Sequence, residues 1–357
     1  MKLYKILTIN LGSTSTKLAY YENEECKVKT TLDHSLQELS VFGDLMDQDG
    51  YRRAAIEKFL KDNDIKVSEL DAVVSRGGHT KPLEGGVYKI DETMLEQQAS
   101  GLYGRHACDL GSKIAYKMTE GTNILPVVVD PPVTDEFIEE ARLSGHPELP
   151  RESRFHALNH RATGKRFARD NGKKYEDLNL IIAHMGGGIT VAAHRKGKMI
   201  DATNGIDGDG PFSTNRTGGL PVGALVNLCF SGRYSYKEIK KMLNGEGGLT
   251  AYLHENDVRT VEEKAAKDGY FALCLEGMIY QTCKEIAAMG AVLEGKVDAV
   301  VITGGIANSK KITARMKERI GFVAPLFVYP GENEMDALAL GALEVMQGKE
   351  PLKTVSV

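Results

Sequence analysis

The feature that most constrains the fold of this chain is the stretch NLIIAHMGGGITVAAHRKGKMIDA, residues 179–202. An apolar run leads into His184 and three glycines, and a second apolar run leads through a charged turn into a third. This pattern predicts strand, glycine turn, strand, turn and strand. Because glycine loses the most backbone entropy on folding, three in a row indicate positive φ or the close approach of a ligand. Phosphate suits such a turn, since successive N–H groups bind anions, but a glycine-rich hairpin without a ligand is the alternative.

The first 33 residues repeat this order of elements. An apolar strand (residues 3–9) is followed by a glycine turn, a strand to Tyr21, an acidic turn and another strand. Asn10 stands where His184 stands in the other copy. Two such meanders predict two related α/β domains. The hydroxyls of residues 13–16 and the ammonium of Lys17 are available to phosphate oxygens, although hydroxyls here also satisfy turn amides.

Composition predicts a soluble globular protein and argues against several other classes. At 357 residues, the chain is long for one core, which favours two domains. The net charge of −4 argues against a dedicated nucleic-acid or membrane-surface binder. The short apolar run at the N-terminus supports neither a signal peptide nor a membrane span. Five scattered cysteines without a CxxC pair indicate reduced thiols in the cytoplasm, and neither a disulfide framework nor a zinc site.

Between the two meanders, charged side chains follow two predicted strands. Arg76 and two glycines follow the strand at residues 71–75, and Asp130 follows the strand at residues 124–129. Ligands of α/β sheets bind at the carboxyl ends of strands, so both are candidate site residues. A carboxylate there can hold Mg²⁺ through water. An internal ion pair for Arg76 and ordinary turn chemistry for Asp130 are the alternatives. His106 begins the next predicted helix, residues 106–120.

The second half contains one histidine pair and one long polar loop. His156 and His160 lie four residues apart in a predicted helix, residues 151–170, and are interpreted as structural because no metalloprotease signature accompanies them. The loop at residues 204–220 is rich in glycine and carries Arg216, and a loop of this length inside a domain is usually functional. The strand at residues 298–303 ends in two glycines that can admit a flat base or ribose.

Three motifs together resemble the acetokinase family, within the superfamily of acetate and sugar kinases, Hsp70 and actin. They are Asn10-Leu-Gly-Ser-Thr-Ser-Thr-Lys17, His184-Met-Gly-Gly-Gly188 and Thr303-Gly-Gly-Ile306. Four further segments look like the butyrate kinase and branched-chain carboxylic acid kinase branch: Ser75-Arg-Gly-Gly78, Asp207-Gly-Asp-Gly-Pro-Phe, Leu228-Cys-Phe-Ser-Gly232 and Tyr329-Pro-Gly331. The resemblance covers essentially the whole chain.

The resemblance implies an α/β fold of two duplicated ribonuclease-H-like (actin-like ATPase) domains, with mixed five-stranded sheets and an interdomain cleft. The N-terminal domain would span residues 1–150 and be joined by the C-terminal segment 336–357. The C-terminal domain, on the nucleotide side, would span residues 151–335.

The implied reaction is reversible transfer of the γ-phosphoryl group of ATP to a short-chain carboxylate such as butyrate or isobutyrate, with Mg²⁺, giving acyl phosphate and ADP. A carboxylate is already ionised at pH 7, so no general base is required, and positive charge and positioning dominate. An acetate or propionate kinase, or a non-kinase actin- or Hsp70-like ATPase, is the alternative. The expected partners are ATP, a short-chain fatty acid and further copies of the chain in a homodimer or higher homo-oligomer, with no nucleic acid or membrane.

The resemblance also implies the site residues, in four groups. At the reacting groups it implies Arg76, His106, Asp130, His184 and Arg216. At the nucleotide it implies Asn10, Ser13, Ser15, Lys17, Gly186, Gly187, Gly188, Asp257, Arg259, Gly304, Gly305 and Ile306. At the metal it implies Asn10, Asp130 and Glu334. At the acyl pocket it implies Arg76, Gly78, Ala183 and Asp207.

Substrate size is predicted from two of the pocket positions. Acetate kinases place bulky apolar residues where this chain has Gly78 and Ala183, which implies a wider pocket that favours butyrate or isobutyrate over acetate. Each added methylene that is buried contributes about 0.8 kcal/mol.

Overall fold

The computed structural model describes residues 2–356, which divide into two compact units. The first unit contains residues 2–135 and 333–356, and the second is Glu136–Glu332. Each unit is an α/β structure built on one mixed sheet.

The border between the units lies before residue 136 rather than after residue 150. Residues 136–150, predicted to belong to the N-terminal domain, are bonded to the sheet of the second unit. The N–H of Ile138 donates to the carbonyl of Ile200 at 3.0 Å, and the carboxylate of Glu136 accepts from the N–H of Met199 at 2.7 Å.

The first unit contains seven strands. Its elements are β1 (Lys5–Leu11), β2 (Ser15–Glu22), β3 (Glu25–Asp33), α1 (Leu36–Leu39), α2 (Asp49–Asp62), β4 (Ala72–Ser75), β5 (Val87–Lys89), α3 (Glu92–Ser100), α4 (Ala107–Thr119), β6 (Leu125–Val129) and, after the second unit, α13 (Glu334–Met346) and β12 (Leu352–Lys353). The strand order is β12-β5-β6-β4-β1-β2-β3. Five strands were predicted, and the short strands β5 and β12 extend the edge beyond β6.

The first sheet is held by apolar side chains that alternate along its central strands. Leu7, Ile9 and Leu11 of β1 are buried in one cluster with Leu110 and Ile114 of α4. Complete burial of side chains of this size contributes roughly 1.5–3 kcal/mol each. Strands β1, β4 and β6 are parallel, so their carboxyl ends meet at one edge of the sheet.

The second unit contains five strands, in the order β11-β10-β7-β8-β9, as predicted. Its elements are α5 (Glu139–Arg142), α6 (Ala157–Asp170), β7 (Asn179–Met185), β8 (Ile189–Arg195), β9 (Lys198–Ala202), α7 (Val222–Cys229), α8 (Tyr236–Leu243), α9 (Gly248–Leu253), α10 (Val258–Ala265), α11 (Gly269–Val292), β10 (Ala299–Gly304), α12 (Lys310–Ile320) and β11 (Leu326–Pro330). Helix α6 begins at Ala157, later than predicted, and residues 204–220 form the predicted loop without helix or strand.

The two sheets repeat one arrangement. The order β6-β4-β1-β2-β3 in the first unit corresponds to β11-β10-β7-β8-β9 in the second. In both, an antiparallel meander continues into parallel strands, and the register shifts between the second and third strands of the meander. The predicted duplication of the meander is therefore present in the structure. Within residues 2–356, no helix is both long enough and apolar enough to cross a bilayer.

Candidate active-site residues in the two units

In the first unit, three predicted site residues meet at the carboxyl edge of the sheet. Asn10 lies near the end of β1, while Arg76 and Asp130 directly follow β4 and β6. The guanidinium of Arg76 donates through Nη1 to the carbonyl of Asp130 at 3.2 Å. The Asp130 carboxylate, buried at a residue with φ of +39°, accepts from the N–H of Gly86 at 2.8 Å. Parallel pairing of the strands produces this grouping.

Glu334 joins this edge from the first turn of α13. Its carboxylate accepts from Asn10 Nδ2 at 2.9 Å and lies 4.0 Å from the ammonium of Lys17. Asn10 and Lys17 are paired across β1 and β2, so the hairpin fixes both contacts. A helix N-terminus favours a carboxylate through its dipole. Asp130, Glu334 and Asn10 each carry a side-chain oxygen, the ligand type that Mg²⁺ prefers.

His106 connects the turn after β1 to the start of α4. As the N-cap of α4, it accepts from the N–H of Cys108 through Nδ1 at 3.3 Å, and its Nε2 lies 3.2 Å from the hydroxyl of Ser13. The residue keeps solvent access, but desolvation of the ring and then the neighbouring His79 lower its pKa. His106 is therefore neutral at pH 7, and because its Nδ1 accepts, its Nε2 carries the proton and can donate a single hydrogen bond.

Gly78 is packed against α4 and does not open a pocket, which corrects the prediction for this position. A Cβ built there would lie 2.8 Å from Cα of Asp109 and overlap its carboxylate. That carboxylate accepts from the N–H groups of His79 and His106, each at 2.6 Å. The approach of α4 to the loop after β4 therefore explains the glycine without reference to substrate size.

In the second unit, the triple glycine turn is covered by the loop at residues 204–220. The hydroxyl of Ser213 donates to the carbonyl of Gly187 at 2.6 Å. A Cβ on Gly188 would overlap the guanidinium of Arg216, so only glycine allows this arginine to lie against the turn. The structure thus brings together two motifs that are about 30 residues apart in the sequence.

The guanidinium of Arg216 is mostly buried, and not all of its N–H donors have a hydrogen-bond partner within residues 2–356. Its Nη1 donates to the carbonyl of Gly205, and its buried Nε has no partner among residues 2–356. Burial lowers its pKa, yet the guanidinium stays charged because its ordinary pKa is above 12. An unsatisfied buried donor on a charged group costs stability, and an anionic ligand would remove that cost.

His184 is the penultimate residue of β7, just before the triple glycine turn, and is buried. Its Nε2 lies 3.6 Å from a carboxylate oxygen of Glu332, and its Nδ1 has no hydrogen-bond partner within residues 2–356. The ring of His156 lies 4.5 Å from the His184 ring, measured between centroids. His156 and Glu332, which lie against His184, were not among the predicted site residues. The i, i+4 histidine pair was the available signal for His156, and proximity to the Tyr329-Pro-Gly331 motif was the signal for Glu332.

The structure supports the structural interpretation for His160, whereas His156, in ring contact with His184, is not decided by its packing. His160 is fully buried and bonds through Nε2 to the hydroxyl of Thr190 at 2.9 Å. His194 lies 3.4 Å from the other nitrogen of His160 and 2.7 Å from the hydroxyl of Tyr175. Burial holds the pKa of His160 well below its ordinary value and lowers that of His194 to about 3. Both rings are neutral and form part of the core.

Ala183 lies in the apolar core, which corrects its assignment to the acyl pocket. With Ile181 and Met185, it belongs to the cluster that includes Met278 of α11, and it is fully buried. Because side chains alternate along a strand, Ala183 points away from the face that carries His184. This packing does not support a role for Ala183 in selecting the size of the acid.

The remaining predicted residues have local structural partners, and their ligand roles stay predictions. Asp207 pairs with the ammonium of Lys240 at 2.5 Å, which lowers the pKa of Asp207. Asp257 caps α10 and pairs with the exposed Arg259 at 2.9 Å. Gly304 has φ of +92°, whereas a Cβ on Gly305 would meet no atom within 4 Å, and Ile306 is buried.

Comparisons with known proteins agree on one family. The model of the acetokinase family matches residues 148–327. Butyrate kinase 2 of Clostridium acetobutylicum is 47% identical over 351 residues, which is 98% of this chain and 99% of the relative. A probable butyrate kinase of Clostridium botulinum is 46% identical, with the same coverage of 98% and 99%. The crystal structure of Porphyromonas gingivalis acetate kinase has a TM-score of 0.78 at 19% identity, and covers 96% of this chain and 99% of that chain. The resemblance and the fold class are confirmed.

Proposed function

Since the chain belongs to the acetokinase family, we propose that it transfers the γ-phosphoryl group of ATP to the carboxylate of a short-chain acid, giving acyl phosphate and ADP. Butyrate or isobutyrate is the proposed acid, because relatives that match nearly the whole chain are named butyrate kinases. We also propose that the enzyme acts in the cytoplasm, a location that fits ATP as donor and a short-chain fatty acid as acceptor.

The observation that carries this proposal is the Arg216 guanidinium against the triple glycine turn. Buried donors without partners next to a bare backbone turn suit an anion that carries several charges. A guanidinium also matches the planar geometry of a carboxylate or of a phosphoryl group in transfer. The guanidinium of Arg76, with one hydrogen-bond partner within residues 2–356, has donors left for the same purpose.

The chemistry requires charge stabilisation and positioning rather than proton removal. The acid is already ionised at pH 7, so its oxygen attacks the phosphorus without a base, and ADP leaves. We assign Arg76 to the acid carboxylate, Arg216 and His184 to the moving phosphoryl group, and His106 and His156 to further hydrogen bonds. The triple glycine turn and the turn at residues 12–17 hold the phosphates. Asp130, Glu334 and Asn10 would hold Mg²⁺, which neutralises phosphate charge when bound.

The reaction is tested by trapping acyl phosphate as its hydroxamate. With ATP, Mg²⁺ and hydroxylamine, we expect product from straight and branched acids of two to six carbons, with butyrate or isobutyrate ahead of acetate. Hydroxamate from no acid would contradict the proposal. ATP hydrolysis that is independent of added acid would instead favour an actin- or Hsp70-like ATPase.

A homo-oligomer is proposed from an apolar surface on the second unit. Large apolar side chains are exposed along α7, α8 and the adjoining loops: Leu220, Val222, Val226, Phe230, Tyr234 and Tyr236. Exposed apolar patches of this kind mark protein interfaces. Phe230, 88% exposed, is the most accessible of them.

Replacing Phe230 by aspartate is therefore expected to reduce the mass of the particle in solution, because a charge would be buried at the contact. Light scattering coupled to size-exclusion chromatography measures the mass. Phe322→Asp changes an equally bulky side chain, 80% exposed after α12, and serves as the control. A wild-type monomer, or equal masses for wild type and Phe230→Asp, would contradict the assignment.

A further inference from the structure

Arg52 is a fully buried arginine whose donors are all used within the protein. It lies in the first turn of α2, and its relative exposure is 0%. Nε donates to the side-chain oxygen of Gln48 at 3.1 Å. Nη1 donates to the carbonyl of Ser15 at 2.8 Å and to the hydroxyl of Thr16 at 2.9 Å. Nη2 donates to the carbonyls of Gly12 and Ser13, each at 3.1 Å. A guanidinium has five N–H donors, and all five are satisfied here.

These contacts fix the inner side of the turn between β1 and β2. Arg52 takes the carbonyls of Gly12, Ser13 and Ser15, and the N–H of His34 donates to the carbonyl of Thr14 at 2.8 Å. Every carbonyl from residue 12 to residue 15 therefore accepts from a donor on the protein side. A carbonyl oxygen that faced a phosphate would repel it, and this arrangement prevents that.

The opposite side of the turn is left for a ligand. The N–H groups of Ser13 and Thr14 have no acceptor within residues 2–356, and both residues are exposed. Successive free N–H groups in a tight turn form an anion-binding concavity.

The charge of Arg52 is not neutralised inside the protein. Its five acceptors are carbonyl, hydroxyl and amide oxygens, and within residues 2–356 no carboxylate lies within ion-pair distance of it. Burying a charge without a counterion lowers the stability of the fold, so the presence of a buried arginine here requires an explanation. An anion on the outer side of the turn would interact favourably with this charge.

We propose that Arg52 is a positioning residue of the nucleotide site, holding the carbonyls of residues 12–15 inward so that the turn presents N–H groups, hydroxyls and positive potential to the phosphates of ATP. This inference rests on the proposed function. It differs from the roles of Arg76 and Arg216, which keep donors for ligands, because Arg52 has none left.

Binding of ATP, ADP and adenosine separates this role from a general effect on stability. Arg52→Lys keeps the positive charge but has three N–H donors in place of five. Arg52→Met has neither the charge nor any donor. We expect Arg52→Lys to weaken ATP and ADP by about tenfold or more, Arg52→Met to weaken them further, and adenosine binding to stay unchanged. Titration calorimetry measures all three ligands, and steady-state kinetics should show a higher KM for ATP with an unchanged KM for the acid.

Two other variants keep the test decisive if Arg52→Met does not fold. Thr16→Val removes one acceptor of Arg52 while keeping the side-chain shape, and should weaken ATP and ADP less, again without affecting adenosine. Ile56→Val, in the core on the same helix, is the control that lowers stability without touching the turn. Equal weakening of ATP, ADP and adenosine binding would overturn the inference, and so would unchanged binding of all three in a folded Arg52→Lys enzyme. In either case, acyl phosphate formation by the wild type would leave the proposed function standing. Failure of the wild type to bind ATP would instead reject the proposed function itself.

Discussion

Arg216→Ala is expected to lower kcat by about a thousandfold or more, since an arginine that stabilises a phosphoryl group in transfer contributes on that order. Its guanidinium lies against Gly188 and keeps a buried donor without a partner within residues 2–356. In the proposed reaction, this donor gains its partner when negative charge moves between ATP and the acid. Because the interaction strengthens in the transition state, the loss should fall on kcat rather than on the affinity for ATP.

Two further variants show whether the loss of rate in Arg216→Ala is specific to the guanidinium at this position. Arg216→Lys keeps a positive charge but loses the planar fork, and should recover only part of the rate. Arg169→Ala removes an exposed arginine at the end of α6, and should leave kcat unchanged. Acyl hydroxamate formation and direct ATP binding are measured for each. A wild-type rate for Arg216→Ala would exclude Arg216 from the reaction, and a loss of ATP binding equal to the loss of rate would make it a nucleotide ligand only.

The meeting of Asn10, Arg76 and Asp130 could be predicted from the sequence because local patterns determine it. Each follows or ends a short apolar run, and parallel strands bring such ends to one edge of the sheet. The duplicated meander could also be predicted, since a glycine turn between two short apolar runs is compatible with few structures other than a hairpin. These features depend on residues that are close in the chain or on general rules of sheet topology.

The errors at Gly78 and Ala183 have different physical origins. The contact of Gly78 with Asp109 joins residues 31 positions apart, and no local pattern reveals it. Ala183 was predictable: it precedes His184 in a strand, so period-two alternation places the two side chains on opposite faces. We therefore look to other residues for the proposed preference for longer acids.

The positions of Arg52 and His156 depend on packing between distant elements, which local sequence patterns do not reveal. Arg52 lies on a helix about 40 residues beyond the turn that it holds, and an arginine in an amphipathic helix normally faces solvent. His156 reaches His184 because α6 begins at Ala157, which leaves His156 at the helix N-terminus beside the end of β7. Sequence spacing identified the histidine pair, while only the structure separated the buried His160 from His156.

His184→Ala is expected to lower kcat by about a hundredfold to a thousandfold, the usual effect of removing one hydrogen-bond donor that faces developing charge. His184→Gln keeps an N–H donor on a flexible side chain and should retain an intermediate rate. His146→Ala, at an exposed histidine, is the matched control. Thermal unfolding is measured in parallel, because His184 is buried and its loss leaves space in the sheet edge.

The contact between His156 and His184 predicts how their substitutions combine. With ring centroids 4.5 Å apart, removal of either ring frees the other to move, so both single alanine variants should lose part of the same interaction. The double variant is then expected to lose less than the product of the two single losses, with a coupling energy of about 0.5–3 kcal/mol. Strict additivity in kcat would mean that the two histidines act independently, and normal turnover in His156→Ala would return His156 to the structural role first predicted for it. A shared loss confined to kcat, with ATP binding intact, would assign both rings to the phosphoryl group in transfer.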